Sequence, residues 1–279
     1  MDFEIVPAHD VPLADQAALF NQAFAGYLAG WMEMDTAALG RFLCAQGADL
    51  CYSRIEREKS GAFVSFGYIN RTGKISRLAG MGTVPGARRT GAARYLLSQV
   101  LDEAKARGDE AIMLEVFEQN VPAHTLYQGY GFREMTRLFA WRRGHEIGLT
   151  PGKPEQIEEF SLLEASQMPG ALEYPVLPWQ ISRHAIAKLA SARAYRINNS
   201  SIVIGDPETP PVRVYGFFND PETVDWEKLR LALSSVLAHF PKRDFFAPAI
   251  FPEKFGSEIF EPLGFVREPL NQFLMRKDL

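Results

Sequence analysis

Cysteine is scarce in this chain and plays no visible part in its architecture. Cys44 and Cys51 are the only two among 279 residues. Their seven-residue separation fits no metal-ligand spacing, and a disulfide scaffold needs more of them. Reduced thiols and no metal site are expected. Long apolar runs are missing too: nothing approaches the roughly 20 consecutive apolar residues of a spanning helix. The opening MDFEIVPAHDVPLADQ has neither the basic segment nor the apolar segment of a secretory signal. Neither membrane insertion nor export is expected, and a cytoplasmic location is. Basic blocks are also absent. Lys+Arg 30 against Asp+Glu 34 gives a formal net charge of −4, with no cluster that would serve as a general nucleic-acid surface.

Apolar content is ample, at 47%, and the length suits two domains of about 130–140 residues. DVPLADQAALFNQAFAGYL reads as a helix with Ala18, Leu19, Phe20, Ala23, Phe24 and Leu28 on one face. DTAALGRFLCAQG reads as a second, closed by Gly47. Strands follow at DLCYSRIERE, KSGAFVSFGYI and ISRLAGMGTV, the last two joined by the polar turn NRTGK. From Ala92 to Arg107 an amphipathic helix carries Ala93, Leu96, Leu97, Val100, Leu101 and Ala104 on one face and stops at Gly108. AIMLEVF is a strand, PAHTLYQGYG a short helix, and FREMTRLFAWRR a strand or pair of strands.

GHEIGLTPGKPEQ is polar and rich in glycine and proline, and places a domain boundary near 144–156, giving domains of 1–148 and 149–279. Beyond it the order of elements repeats. Gly131-Phe132 precedes FREMTRLFAWRR, and Gly264-Phe265, 133 residues later, precedes FVREPLNQFLMRK. The same offset lays Ala93, Leu96, Val100 and Ala104 on Trp226, Leu229, Leu233 and Leu237, and Leu126 on Ile259. Matching helix phase and element length predict a duplicated fold.

One stretch of the first half carries chemistry. TVPGARRTGAARYLL, Thr83 to Leu97, runs from a strand through a glycine-bearing, doubly basic turn into a helix. First-turn amides of a helix have no helical partner, and the dipole there favours an anion. Gly91 has no side chain to obstruct one, Ala92 and Ala93 add little, and Arg88 and Arg89 bring charge. The turn reads as a phosphate-binding site. It lacks the Lys-Ser/Thr of a nucleoside-triphosphate loop and the spaced glycines of a dinucleotide fingerprint.

RRTGAA, Arg88 to Ala93, resembles the R-x-x-G-x-G/A pyrophosphate turn of the GCN5-related N-acetyltransferase (GNAT) superfamily. LEVFEQNVPAHTLYQGYGF, Leu114 to Phe132, is similar to that family's second block, with Asn120, Ala123, Leu126, Tyr127, Gly131 and Phe132 at its spacing. The resemblance implies an α+β fold: a mixed, mostly antiparallel central sheet flanked by helices, here twice in tandem. It implies acetyl-CoA as cofactor, with its pyrophosphate on Arg88, Arg89, Thr90, Gly91, Ala92 and Ala93. Backbone groups near Thr83 and Val84 would hold the pantetheine arm, and Asn120 would orient it. Tyr127 matches the family's general acid. Family members often use a glutamate as base, for which Glu115 and Glu33 are the candidates; His124 is a weaker one. The implied activity is transfer of acetyl to a primary amine of a small molecule or peptide (EC 2.3.1.-), by a monomer or homodimer without nucleic-acid or membrane partners. Two alternatives stay open: a non-catalytic acyl-CoA-binding regulator, and another acyltransferase of the same fold, for aminoacyl or thiol-precursor transfer.

The second half keeps the apolar pattern and loses the motifs. Arg88 falls on Pro221, Gly91 on Val224, Asn120 on Glu253 and Tyr127 on Phe260. A retained fold without acyl-CoA chemistry is expected there. ALEYPVLPWQISRH, Ala171 to His184 with Tyr174 and Trp179, is expected to wall the acceptor cleft or to pack as an interdomain surface.

Overall fold

The structure, a computed structural model, describes residues 3–28, 30, 33–148, 156–168, 177–189, 191–218 and 224–279. It divides into two compact units, Met1–Glu134 with Leu274–Leu279, and Met135–Phe273. Among the described residues no helix is long and apolar enough to cross a membrane.

In the first unit β1 (Phe3–Pro7) leads to α1 (Leu13–Ala23) and α2 (Thr36–Ala45), then β2 (Asp49–Glu58), β3 (Phe63–Thr72), β4 (Ile75–Thr83), α3 (Ala92–Ala106), β5 (Ala111–Phe117) and α4 (Val121–Gly129). Strands β1 to β5 lie side by side in chain order. The first four pair antiparallel and β4 pairs parallel with β5. Asp35 caps α2 by accepting from the Ala38 amide at 2.7 Å. Gly47 closes that helix at φ +64°, as its position in the sequence requires.

α1 is shorter than its apolar pattern predicts. It ends at Ala23, Gly26 turns the chain at φ +70°, and Ala18 is exposed while Gln16 is buried. Gln16 is satisfied there: its amide donates to the carbonyls of Ala8 and Val11, and it accepts from the Tyr68 hydroxyl. Leu19, Phe20, Leu39, Leu43, Ile55, Phe66 and Tyr68 form the core beneath α1 and α2. The opposite face of the sheet receives α3 through Leu96, Leu97, Val100, Leu101 and Ala104, all buried.

The second unit holds β6 (Arg133–Arg143, whose first two residues count with the first unit), β7 (Glu158–Phe160), α5 (Leu162–Gln167), α6 (Arg183–Ile186), β8 (Arg193–Ile197), β9 (Ser200–Ile204), β10 (Val212–Phe218), α7 (Trp226–His239), β11 (Phe245–Pro252) and β12 (Val266–Asp278). Its strands run β12-β6-β11-β10-β9-β8-β7. The end of β12, from Leu274, counts with the first unit, where Leu279 donates to the Glu110 carbonyl.

The internal repeat read from the sequence reappears in the backbone. Gly131 and Gly264 both adopt left-handed φ, +84° and +82°. The Phe132 amide donates to the Tyr127 carbonyl at 3.1 Å, and the Phe265 amide to the Phe260 carbonyl at 3.1 Å. The ring pairs Tyr127–Phe132 and Phe260–Phe265 are set at 63° and 57°.

Candidate active site

The site begins where two strands part. β4 continues to Thr83 and β5 to Phe117, yet they pair only from Ile75–Leu78 against Ala111–Leu114. A register shift in β4 against β3, between Leu78 and Gly80, accompanies the divergence. Past it the facing edges of β4 and β5 have no strand partner. The Val84 amide donates to the Val64 carbonyl of β3 at 2.9 Å, so it is turned away from the gap. Strand alternation then directs the main-chain groups of Thr83 and Met81 toward the gap.

The turn after β4 is held from behind. Arg88 Nε donates to the Thr83 carbonyl at 3.1 Å and its Nη2 to the Ala23 carbonyl at 2.9 Å. Arg88 therefore ties the end of α1 to the end of β4, while Arg89 is exposed. The Thr90 hydroxyl donates to the Ala87 carbonyl at 2.7 Å. Arg89 and Gly91 are both left-handed, at φ +65° and +103°, and so present the start of α3 at a sharp angle. Gly91 is the N-cap, and no side chain caps that helix. A Cβ added at Gly91 would meet no protein atom within 4 Å. The amides of Ala92 and Ala93 thus open α3 without a protein cap, which is what an anion seat requires.

α4 delivers the remaining groups. Asn120 is its N-cap and accepts from the Ala123 amide at 3.4 Å. Tyr127, 8% exposed, places its hydroxyl 3.8 Å from Met81 Sδ. Burial raises the Tyr127 phenol well above its ordinary range, and the nearby Tyr27 phenol adds to this. Tyr27, in the connection after α1, packs on Phe117 at 6.0 Å between ring centroids. Its own phenol is raised by burial, and the Asn120 side chain acts on it by hydrogen bonding. Two phenols, an amide side chain and a thioether so converge where β4 and β5 separate.

The two carboxylates expected as bases lie in different settings. Glu115, on β5, is clamped by Arg77 of β4: Nε donates to Oε1 and Oε2 at 3.1 and 2.9 Å, and Nη2 to Oε2 at 2.6 Å. Both side chains are buried, at 6% and 4% exposure for Arg77 and Glu115, and Arg77 also donates to Gln46 at the end of α2. Glu33 is exposed on the connection between α1 and α2. His124 bonds Glu134 at 2.9 Å through Nε2. Nothing in the sequence marked Met81, Tyr27 or Arg77, because strand divergence and contacts between elements distant in the chain place them here.

Residues 17–132 match the family described as Acetyltransferase (GNAT) family. Among solved structures the whole chain is similar to a tandem GNAT protein from the clavulanic acid biosynthesis pathway, at 14% identity, covering 99% of this chain and 98% of that one with a TM-score of 0.63. It is similar to a candidate acetyltransferase from Pyrococcus horikoshii at 14% identity, 100% and 89% coverage and a TM-score of 0.66. A GCN5-related N-acetyltransferase from Sphaerobacter thermophilus gives 12%, 99%, 95% and 0.63. No curated protein matches. The chain is a tandem of GNAT folds.

The second GNAT fold has its corresponding features closed. Its strands β10 and β11 also pair in parallel over two residues only, Val212–Arg213 against Phe245–Phe246. Phe217, Phe251, Phe255 and Phe260 fill the space beside them, with centroid separations of 5.2–5.9 Å. Phe260, the counterpart of Tyr127, is fully buried and stacks on Trp141 at 5.0 Å. The segment equivalent to α4 is broken into short turns, Glu253–Phe255, Gly256–Phe260 and Glu261–Leu263. The equivalent of α3 is capped by its own carboxylate: Asp225 accepts from the Lys228 amide at 3.1 Å. An Asp before a helix is a readable cap, and here it puts negative charge where the first GNAT fold leaves amides open. Pro221 lies outside the described residues, as does Tyr174; Trp179 sits within the second unit, with Lys188 Nζ 5.8 Å from its ring centroid.

Proposed function

We propose that the first unit is an acetyl-CoA-dependent N-acetyltransferase (EC 2.3.1.-) acting on a primary amine, and that the second is catalytically silent. The observation that carries this is the buried Tyr127 hydroxyl beside Met81 of β4, the strand whose end at Thr83 leads through the turn into an uncapped helix start. The residues present fit acetyl-CoA: the α3 start suits a pyrophosphate, and the gap between strands offers the Thr83 amide and the Met81 main-chain groups to an extended arm, the Thr83 carbonyl being held by Arg88.

Acetyl-CoA, when bound, supplies an activated acyl group on a thiol leaving group. The amides of Ala92 and Ala93 and the charge of Arg89 hold the anionic end. Arg88 acts chiefly by fixing the turn, since its guanidinium already serves two carbonyls. Main-chain N–H groups at the open edge of β4 orient the arm and polarise the carbonyl. Asn120 fixes the start of α4 and reaches Tyr27. Tyr127 keeps its proton because burial raises the phenol, and gives it to the sulfur as the amine displaces it. The amine must shed a proton. Glu115 lies two residues before Phe117 on the strand that lines the gap, but its oxygens are engaged by Arg77. It accepts the proton only through a water, while exposed Glu33 would act from the α1–α2 connection.

The deciding experiment incubates the protein with acetyl-CoA and a broad panel of amines and peptides while free thiol is followed. Acceptor-dependent thiol release, strongly slowed in Tyr127→Phe, is expected. CoA binding with no release on any acceptor would favour a non-catalytic acyl-CoA-binding role.

A further inference from the structure

One ionisable side chain of the first unit has no ion pair and no part in the reaction above. Glu56, on β2, is 0% exposed, and neither carboxylate oxygen makes a hydrogen bond of normal geometry. Register sets Glu56 opposite Ser65 on β3, and Ser65 opposite Thr83 on β4. Ser65 Oγ and Thr83 Oγ1 are 3.0 Å apart, and either can donate. Three polar groups therefore form a row across neighbouring strands. The row lies on the α3 face: a Cβ on Gly67, two residues beyond Ser65, would lie 3.7 and 3.8 Å from Leu96 and Val100. It ends at Thr83, the last residue before the turn.

Burial pushes the Glu56 carboxyl up to about 7, and Ser65 is the polar group acting against that. Charged groups on the elements around it are otherwise engaged or outward. Glu4 of β1 pairs with Arg57, and Arg54 pairs with Glu103 of α3. Arg71 of β3 pairs with Asp109, and Arg77 of β4 with Glu115. Arg88 serves the Thr83 and Ala23 carbonyls, while Arg89, Arg94, Asp102 and Lys105 are exposed. An unpaired buried carboxyl is costly to keep in a sheet, and such groups gather at functional sites.

We propose that Glu56 is a positioning residue of the cofactor seat, acting through Ser65 and Thr83, and that its proton is thermodynamically linked to CoA binding. This rests on the cofactor reading above. When the neutral carboxyl of Glu56 closes on Ser65 and donates to it, Ser65 donates to Thr83, which leaves the Thr83 hydroxyl hydrogen free to point away from β3. Ionised Glu56 reverses the row, and Thr83 must donate toward Ser65. An anion brought to the α3 start also disfavours a second negative charge buried on the α3 face of the sheet. The bound state therefore holds more protons, and affinity falls as pH rises through the Glu56 range.

The test is calorimetric titration of the full chain with CoA between pH 6 and 8, in buffers of different ionisation enthalpy. CoA's own phosphate titrates in this range, so the quantity read is the difference between wild type and Glu56→Gln. Wild type is expected to take up more protons than Glu56→Gln, and its Kd to rise by up to about tenfold more across that interval, the effect of a shift of about one pKa unit. Ser65→Ala, which cuts the row and keeps the acid, shrinks the difference. An infrared difference spectrum of wild type on CoA addition, which needs no variant, gains a protonated carboxyl band. Equal proton uptake in wild type and Glu56→Gln, or no such band, overturns the proposal. Absence of CoA binding by wild type overturns the cofactor reading and this proposal with it.

Discussion

The Tyr127 hydroxyl lies 3.8 Å from Met81 Sδ, and Met81 stands just past Leu78, where β4 last pairs with β5. A thioether is a weak acceptor, so the phenol is held in place by packing and its proton stays available. Tyr127→Phe removes one oxygen and keeps the ring against Phe132. Single-turnover rates should fall by roughly 10- to 1000-fold, with acetyl-CoA affinity near wild type. Single turnover is the proper measure because slow product release would mask the loss. Unchanged chemistry with a good acceptor would remove Tyr127 from the acid role.

Gly91→Ala and Gly91→Val test the anion seat. The new Cβ meets no protein atom, so the folded-state cost is the left-handed φ of +103°, about 1–3 kcal/mol. CoA affinity should fall by about tenfold or more, the effect of losing one hydrogen bond to a charged group at the helix start, whereas replacing Val224 in the second unit leaves it alone. Titration calorimetry on variants shown to be folded settles it; wild-type affinity in Gly91→Val rules the turn out.

Arg77 and Glu115 form a buried pair, so removing one partner strands the other. Arg77→Ala should destabilise by about 3–5 kcal/mol, and Arg77→Met with Glu115→Leu should recover most of that. Denaturant unfolding of the single and double variants measures it. Glu115→Gln separates stability from catalysis: a large kcat loss in the folded variant assigns the base to Glu115, and full activity directs attention to Glu33.

The buried Glu56 carboxyl makes stability depend on pH. Its folded carboxyl is raised from 4.5 to about 7, so the unfolded chain ionises first as pH rises. Between those values the native state binds more protons, and stability falls with increasing pH. Glu56→Gln should therefore raise Tm at pH 8, by the equivalent of at most about 3 kcal/mol, and change little at pH 4. A variant less stable than wild type at pH 8 would contradict a raised carboxyl.

Phe260→Tyr is the converse of Tyr127→Phe. It should restore no acyl transfer, because Asp225 caps the neighbouring helix and phenylalanines fill the strand gap. A hydroxyl placed against Trp141 without a partner should cost about 1–3 kcal/mol. CoA found beside Phe260 in a soaked crystal would refute the silence of the second unit.

Much of this was legible in sequence because it depends on local rules. Helical spacing located α3 and α7, a glycine before a helix marked the open turn, and the 133-residue offset carried Gly131-Phe132 onto Gly264-Phe265 with the same left-handed φ. The short strands β1 and β7 to β10 left no comparable signature, since strand identity depends on neighbours more than on intrinsic preference. Sequence also supplied Tyr127 and Glu115 as residue types in a motif. Only tertiary structure decided what surrounds them. It locked Glu115 to Arg77 across two strands, set Arg88 to holding carbonyls, placed Tyr27 beside Asn120, and aligned Glu56, Ser65 and Thr83 in one row. It also assigned the last residues from Leu274 to the first unit. Periodicity is written within each element, whereas register, burial and ion pairing arise only when elements distant in the chain are brought together.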